Sequence, residues 1–248
     1  MRADLRLAIG LPDGLAAVAL CGHRQDDPVA ADAVVVDDRS DAGMRDGLIA
    51  AIGDLLARCG VARGDLSAVA FEAGPGGFSR IRAACAVAQG LGYGLDIPVG
   101  AFDSQLLRAM CARASSLIAG PARVLVARDA RMGEAYVSAF EHRDGVWSTI
   151  LEPAVCALEA LPAWAAALPG TELPVLVAGD LRQRLLGAAH PDWREAPEPD
   201  PVDLVLTLVR AAPQAARWGD AISAAPTYMR EKVALDITEQ AALRAARS

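Results

Sequence analysis

Two similar hairpin patterns, one at the start of the chain and one near its middle, most restrict how these 248 residues can fold. In the first, apolar residues alternate over 5–9, a turn follows at 12–14, and the apolar run 15–20 returns. In the second, the run 124–127 is followed by a turn and by the returning run 135–140. Apolar alternation around a turn predicts a β-hairpin. Its recurrence predicts an internal duplication, in which each hairpin opens a half of roughly 110–120 residues.

Segments with the pattern of strands alternate with segments of helical periodicity along the rest of the chain. In order, we predict a strand over 33–36, a helix over 41–59 ended by Gly60, a strand over 66–71, a helix from Arg80, a strand over 97–99, a helix over 103–114, a strand and turn over 175–180, a helix from Leu181 and a helix from Val202 that is interrupted at Pro213. This alternation predicts an α/β fold with mixed sheets flanked by helices. We divide the chain into halves over 1–102 and 103–230 and a tail over 231–248.

The composition excludes several classes of protein. Hydrophobic residues make up 53% of the chain and charged residues 22%, which is enough apolar material for a full core. The net charge is −7 and the 24 basic residues are scattered, so the chain is not expected to bind nucleic acid by itself. The uncharged stretch Ala83–Leu95 is shorter than the roughly 20 residues of a membrane span. The first ten residues lack the apolar segment of a signal peptide, so we expect a cytoplasmic protein.

The five cysteines and three histidines are dispersed along the chain. No two cysteines have the spacing of a metal or redox motif, so we expect reduced thiols that pack as small apolar side chains. A zinc or iron site would have to gather its ligands from distant segments. We therefore expect no metal site, and no pattern marks a catalytic nucleophile.

The predicted helix after Arg80 reads AACAVAQGLGYGL over 83–95 and is apolar or small on every side. Because such a helix has to be covered, its side away from the sheet requires a neighbouring helix or another chain. On the helix over 41–59, the small residues Ala50, Gly53 and Ala57 either allow another backbone to approach or form an exposed alanine-rich face. Opposite to them, we predict an apolar face of Met44, Leu48, Ile49, Ile52, Leu55, Leu56 and Cys59.

A glycine-rich loop lies between a predicted strand and a predicted helix, where backbone N–H groups and the helix dipole favour an anion. The loop lacks the Gly-Lys-Ser/Thr of a P-loop and the third glycine of a dinucleotide fingerprint. The alternative interpretation is a tight turn whose serine caps the following helix. The candidate residues for an anion or a nucleotide are Gly74, Gly76, Gly77, Ser79 and Arg80.

Three segments carry a resemblance to a known family. The segment GPGGFSRIR, which begins at Gly74, resembles the GPGSFTGLR loop and helix of the TsaB (YeaZ-like) proteins. The segment VARDARMGEAY over 126–136 resembles their DARMGEVY hairpin, and PTYMR over 226–230 resembles their C-terminal P-x-Y-x-R. The resemblance implies a duplicated RNase H-like fold of the actin, sugar-kinase and Hsp70 superfamily. It also implies a role in making N6-threonylcarbamoyladenosine in tRNAs that read codons beginning with A.

The resemblance further implies a non-catalytic subunit that pairs with the metal-bearing TsaD protein, is joined by TsaE with ATP, and meets tRNA only through the complex. It implies no tightly bound cofactor, with ATP or ADP at the partner interface as a further expectation. Because uncovered apolar surface favours self-association, we expect a homodimer when the chain is isolated. The family pairs through its first two helices, which here implies an interface of Met44, Leu48, Ala50, Ile52, Gly53, Leu56, Ala57, Ile81, Ala84, Val87, Ala88 and Leu91.

The sequence departs from the family at positions that matter for nucleotide chemistry. Gly10 stands where the family has an aspartate at the end of the first strand, which argues against nucleotide hydrolysis. Met44-Arg45 replaces the usual His-Ser, Gly77 replaces a serine, and Arg80 replaces a glycine.

Asp129 ends the first strand of the second half, a position used for phosphate chemistry in the superfamily. The alternative is a turn acid that accepts hydrogen bonds from nearby backbone. Arg131 and Glu134 flank this turn and could form an exposed ion pair. A second functional hypothesis is therefore a small-molecule kinase or ATPase that uses Asp129 and the glycine-rich loop. A third, a peptidase, would need a metal site or nucleophile that the scattered histidines do not suggest.

Overall fold

The computed structural model describes residues 4–12, 15–24, 27–36, 41–170, 172–188 and 192–229, so the predicted tail over 231–248 lies outside the described residues. The strands are β1 (Asp4–Gly10), β2 (Ala16–Arg24), β3 (Asp27–Val36), β4 (Leu66–Gly74), β5 (Val99–Asp103), β6 (Ala122–Arg131), β7 (Glu134–Arg143), β8 (Val146–Ala157), β9 (Val175–Ala178), β10 (Arg194–Glu195) and β11 (Arg217–Gly219). The α-helices are α1 (Asp41–Arg58), α2 (Phe78–Leu95), α3 (Ser104–Ala114), α4 (Leu161–Ala166), α5 (Arg182–Ala188) and α6 (Pro201–Ala215).

The strands form two sheets that repeat one arrangement. The first sheet has the order β11-β5-β4-β1-β2-β3, and the second has the order β10-β9-β6-β7-β8. In each, three consecutive strands form an antiparallel meander, and the next two strands add in parallel beside its first strand. The predicted hairpins are β1–β2 and β6–β7. The shared strand order confirms the predicted duplication.

Helices cover both faces of the first sheet and separate it from the second. One core cluster packs α1 and α2 on one face of the first sheet, and another packs α3 and α6 on the opposite face. In the second half, α4 and α5 pack on one face of the sheet, and α3 contributes to the cluster on its other face. Because α3 belongs to a cluster in each half, it joins the two halves.

Local sequence signals explain where two of the helices begin and end. The carboxylate of Asp103 accepts hydrogen bonds of 2.8 Å from the backbone N–H groups of Gln105 and Leu106, as an N-cap residue does. Burial raises the pKa of Asp103, and these two hydrogen bonds oppose the rise. At the end of α1, Gly60 has a φ of +62°, which is the left-handed conformation that its predicted role as a C-cap requires.

The structure differs from the predicted elements at several places. Helix α2 begins at Phe78 rather than at Arg80, and α6 continues past Pro213 to Ala215. Pro213 lies in the last turn of α6, where it removes a single backbone hydrogen bond while the apolar face of the helix stays buried. Strands β8, β10 and β11 and helix α4 were not predicted.

The chain returns to its first half near its C-terminal end. Helix α6 packs on the first sheet, and β11 pairs antiparallel with β5. This differs from the expectation of a second half that runs from 103 to 230. The expected boundary assumes that each half is continuous in sequence. The apolar face of α6, although it comes from the later part of the chain, is buried on the first sheet. In the described part of the chain, no helix is both long and apolar enough to cross a membrane.

Candidate functional site

A cleft of about 750 Å³ lies between the two halves. The glycine-rich loop lines one side, the turn between β6 and β7 lines another, and residues 227–229 line a third. These are parts of the three segments that carry the family resemblance, so the fold brings them to one place. The lining residues are Leu11, Glu72, Pro75, Gly76, Gly77, Phe78, Arg80, Ile81, Ser104, Arg128, Asp129, Ala130, Arg131, Met132, Tyr136, Asp180, Arg182, Glu198, Thr227, Tyr228 and Met229.

The glycine-rich loop carries the chain from β4 into α2. The N-cap of α2 is Gly77, whose carbonyl accepts hydrogen bonds of 3.1 Å from the N–H groups of Arg80 and Ile81. Ser79 is exposed within the first turn of α2 and does not line the cleft. The expectation that Ser79 caps the helix is therefore wrong, because the helix begins one residue before it.

The C-terminal end of the described chain packs against this loop. The N–H of Thr227 donates a hydrogen bond of 2.7 Å to the carbonyl of Ala73. The rings of Phe78 and Tyr228 lie with their centroids 5.4 Å apart. Gly74 has a φ of +110°, and a Cβ atom there would lie 2.8 Å from the carbonyl oxygen of Thr227. This close approach explains why a glycine occupies position 74.

Asp129 stabilises the turn between β6 and β7. Its carboxylate accepts a hydrogen bond of 2.7 Å from the N–H of Arg131 and forms an ion pair of 3.1 Å with the guanidinium of Arg131. Arg131 and Met132 both have a positive φ, as in the tight turns that connect hairpin strands. The geometry matches the interpretation of Asp129 as a turn acid that binds nearby backbone. Arg131 thus has an acidic partner on the strand before the turn, and its pairing with Glu134 stays a prediction.

The end of the first strand presents no carboxylate to the cleft. A Cβ atom at Gly10 would lie 3.2 Å from Leu204 Cδ2 and 3.3 Å from Val205 Cγ2, so α6 occupies the space beside it. The neighbouring strand supplies a carboxylate instead, because Glu72 lines the cleft and is only 1% exposed. Among the described residues, no group of three or more His, Cys, Asp or Glu side chains could hold a metal ion.

Two arginines that line the cleft from the second half, Arg128 and Arg182, bind other residues of the same chain. The guanidinium of Arg128 donates a hydrogen bond of 3.4 Å to the carbonyl of Pro75, which links the second half to the glycine-rich loop. Arg182 forms ion pairs with Glu195 at 2.7 Å and with Glu198 at 3.1 Å. Burial raises the pKa of Tyr136, against the opposing charge of Arg128. Much of the positive charge at the cleft therefore already has a structural partner.

A second concave surface, which we call the α1–α2 groove, lies between α1 and α2. It has a volume of about 350 Å³ and is mostly apolar, and Ile49, which lines it, is 54% exposed. Apolar residues that are exposed together in one concave surface are typical of an interaction site. The groove is lined by Arg45, Ile49, Ile52, Arg63, Ala86, Val87, Gly90 and Leu91.

The structure places the predicted interface residues in three groups. Ala50 and Ala57 are exposed, Gly53 and Leu91 are half-buried, and the side chain of Met44 lies outside the described residues. The remaining residues pack in the core beneath the two helices, although Ile52 and Val87 also reach the groove. The buried members are Leu48, Ile52, Leu56, Ile81, Ala84, Val87 and Ala88.

The sequence interpretation missed the outward side of both helices. Ile49 was assigned to the buried face of its helix, yet it is exposed because it lies at the edge of that face. On α2, the exposed residues include Ala86 and Gly90. The polar groups of Arg82 and Tyr93 could have indicated the exposed side of α2 from the sequence. Both residues are exposed and lie on the same stripe of the helix.

The chain itself covers part of the flank of α2 that was expected to need a separate helix or another molecule. The side chain of Gln89 donates a hydrogen bond of 2.8 Å to the carbonyl of Ala224, and a Cβ atom at Gly92 would lie 3.1 Å from Ala221. Residues 221–224 therefore lie along α2. The α1–α2 groove is a part of the α2 surface that no described residue covers.

A family model described as "TsaD: tRNA N6-adenosine threonylcarbamoyltransferase" matches residues 44–172, just over half of the chain. The chain belongs to this family. The TsaB protein of Escherichia coli K12 is 35% identical over 95 residues, which are 38% of this chain and 40% of that protein. The TsaB protein of Haemophilus influenzae is 39% identical over 87 residues, which are 35% of this chain and 36% of that protein. The chain thus matches less than half of the length of these curated relatives.

The similarity in structure extends over nearly the whole fold. The YeaZ protein of Pseudomonas aeruginosa superposes with a TM-score of 0.69 at 26% identity, and the match covers 91% of this chain and 99% of that one. A second structure, described as similar to the peptidase YeaZ from the same organism, gives the same TM-score and covers 92% and 100%. Within its family, the chain is therefore of the TsaB/YeaZ type and has the RNase H-like, actin-like fold that the resemblance implied.

Proposed function

We propose that this chain is a non-catalytic dimerisation subunit of the machinery that makes N6-threonylcarbamoyladenosine in tRNA, and that it pairs with the catalytic TsaD subunit. The single observation that carries the proposal is the α1–α2 groove, an open apolar surface on the two helices that the family uses for pairing. Burial of Ile49 and its apolar neighbours by a partner would remove this surface from water, which favours association.

The cleft supports a scaffold better than a catalyst. Its first strand ends at Gly10 without an acid, and the carboxylate of Asp129 already binds the backbone and side chain of Arg131. Nucleotide hydrolysis in a cleft of this kind needs acids that are available to a metal–phosphate group. The first strand supplies no such acid, and the carboxylates of Glu72, Asp129 and Asp180 in the cleft each already accept a hydrogen bond from a backbone N–H group.

The proposal is tested by co-expression with the TsaD protein of the same organism, followed by size-exclusion chromatography. The variants Ile49→Glu and Ala86→Arg place a charge on the apolar wall of the groove, so we expect them to stay folded and to lose the heterodimer. Leu117→Arg is the matched control, because Leu117 is a fully exposed apolar residue elsewhere on the chain. Co-elution of both groove variants with TsaD at the wild-type ratio would show that the chain pairs through another surface.

The remaining parts of the proposed assembly follow from the same pairing. TsaE with ATP would join the TsaD-bound chain, an adenine nucleotide would lie at the partner interface, and tRNA would be contacted only by the complex. The same chromatography with and without ATP tests whether the nucleotide changes the assembly. The isolated chain is proposed to form a homodimer through the groove, which Ile49→Glu would convert to a monomer.

A small-molecule kinase or ATPase is the second candidate, because a cleft of about 750 Å³ lies beside the N-terminus of α2. This hypothesis requires the purified chain alone to turn over ATP with Mg²⁺, and Asp129→Asn to abolish that turnover. A rate equal to that of buffer would exclude it.

A further inference from the structure

We infer that the α1–α2 groove selects a partner helix whose apolar side chains are flanked by carboxylates, and that these carboxylates pair with Arg45 and Arg63. The inference rests on the proposed function, since it takes the groove as the docking site. It adds to that function the chemistry by which the groove distinguishes one partner from another.

The charged residues that line the groove are both arginines. Arg45 and Arg63 are exposed, and of the residues whose side chains the structure describes, no acidic one lines the groove with them. In the described part of the chain, neither guanidinium forms an ion pair. Other arginines differ, as the pairs Arg58–Asp32 and Arg123–Glu141 illustrate. The groove therefore presents two positive charges that are available to a partner.

The two arginines approach the apolar part of the groove from different parts of the chain. Arg45 lies one helical turn before Ile49 on α1, and Arg63 lies in the 3₁₀ turn Arg63–Asp65 that follows the end of α1. In the direction of α1, one positive charge therefore lies before the apolar residues of the groove and one lies after them. A helix that lies in the groove would bring its own apolar stripe against Ile49 and would need acidic residues toward its ends.

The floor of the groove permits a helix to come close. A Cβ atom at Gly90 would have no atom within 4 Å, and Ala86 adds only a methyl group to the exposed surface. Packed helices lie about 8–10 Å apart, and small residues at the contact favour the shorter distances. A partner helix can thus approach α2 closely enough for its flanking carboxylates to reach both guanidinium groups.

The same charges make a second copy of this chain a weaker occupant than a partner with carboxylates, so the homodimer proposed for the isolated chain should give way to the heterodimer. A two-fold symmetric dimer brings the same surface of both molecules together, so both copies of Arg45 and Arg63 would enter one interface. The exposed acids Asp46 and Asp54 of α1 do not line the groove. Like charges in one interface cost binding energy, whereas a partner with carboxylates gains from the same positions.

The test measures the affinity of the full-length chain for the TsaD protein at low and high salt. The double variant Arg45→Glu/Arg63→Glu is expected to bind about tenfold more weakly at about 0.05 M NaCl, and the difference is expected to shrink at about 1 M, where exposed charges are screened. The matched control is Arg184→Glu/Arg210→Glu, which changes the net charge equally at exposed positions outside the groove. This control is expected to bind within about twofold of the wild type.

The outcomes separate the inference from the proposed function. If Ile49→Glu abolishes binding while the arginine variant binds as the wild type does at both salt concentrations, the charge inference is overturned and the docking groove stands. If the arginine variant loses self-association of the isolated chain and keeps its affinity for TsaD, the occupant that the arginines select is a second copy and the inference is also overturned. If Ile49→Glu binds normally, the proposed function fails at the surface on which both depend.

Discussion

The backbone N–H of Leu11 donates a hydrogen bond of 2.6 Å to the buried carboxylate of Glu72, which joins the residue after β1 to β4. The second half repeats this relationship at its own first strand, where the N–H of Asp129 donates a hydrogen bond of 2.8 Å to the carboxylate of Asp180. In both halves a carboxylate from the parallel neighbouring strand, or from the turn after it, holds the end of the central hairpin strand. The duplicated halves thus share a structural device as well as a strand order.

Removal of the Glu72 carboxylate is expected to destabilise the chain. Glu72→Ala leaves the buried N–H of Leu11 without its acceptor, so the free energy of unfolding should fall by about 1–3 kcal/mol. Glu72→Gln is the control, because its amide oxygen can still accept the hydrogen bond. Urea unfolding followed by circular dichroism measures both variants, and equal stability of the two would show that the hydrogen bond to Leu11 is not what matters.

The two glycines near the end of α2 should respond in opposite ways to alanine. A Cβ atom at Gly92 would overlap Val99 and crowd Ala221, so Gly92→Ala should destabilise the chain by about 1–3 kcal/mol. A Cβ atom at Gly94 has no atom within 4 Å, so Gly94→Ala should raise helix propensity and stabilise by up to about 1 kcal/mol. Thermal unfolding of the two variants distinguishes these effects. A stable Gly92→Ala variant would contradict the close packing of α2 on β5.

Arginine substitutions on α2 should separate its buried side from its exposed side. Ala84 is fully buried, so Ala84→Arg places an unpaired charge in the core and should cost more than about 3 kcal/mol or prevent folding. Ala86 is exposed, so Ala86→Arg should change the free energy of unfolding by less than about 0.5 kcal/mol. Soluble yield and melting temperature check both expectations. A folded Ala84→Arg protein with the wild-type melting temperature would show that α2 is rotated relative to the structure described above.

Cys111 should make stability depend on pH in alkaline solution. Burial raises the pKa of the Cys111 thiol to about 11, whereas the thiol of an unfolded chain has a pKa of about 8.5. As the pH rises, the unfolded chain loses this proton before the folded chain does, so the contribution is complete below about pH 8 and is lost between about pH 8.5 and 11. Urea unfolding at several pH values should show a steeper loss for the wild type than for Cys111→Ala. Parallel curves would mean that the thiol is accessible to solvent.

Local patterns predicted the parts of the fold that depend on residues close in sequence. The alternation around each turn gives the hairpins, and Asp103 marks the start of α3 because its carboxylate caps the next two amides. In β8 the alternation of apolar and polar residues that predicts a strand is weak. This strand lies at the edge of its sheet, its residues are exposed or half-buried, and it contains Pro153. Strand β11 has three residues, and its pairing with β5 joins distant parts of the chain.

The candidate site was less predictable for a related reason. The sequence over 83–95 is apolar or small on all sides, so periodicity alone does not tell which stripe of α2 faces the core. The convergence of the three family segments on one cleft depends on the packing of the two halves, which no single segment encodes. The role of Asp129 in its turn was predictable. In a tight turn, the carboxylate of an aspartate commonly accepts a hydrogen bond from the backbone N–H two residues later.

Helix α6 and strand β11 complete the first sheet with residues from the far end of the sequence. The polypeptide therefore cannot be divided at residue 102 into autonomous pieces, since a fragment that ends there would leave the alanine-rich face of β1, β2 and β4 bare to water. Melting of one half removes elements that the other half requires. The duplicated architecture is consequently expected to behave as a single cooperative unit, despite its origin in two repeats.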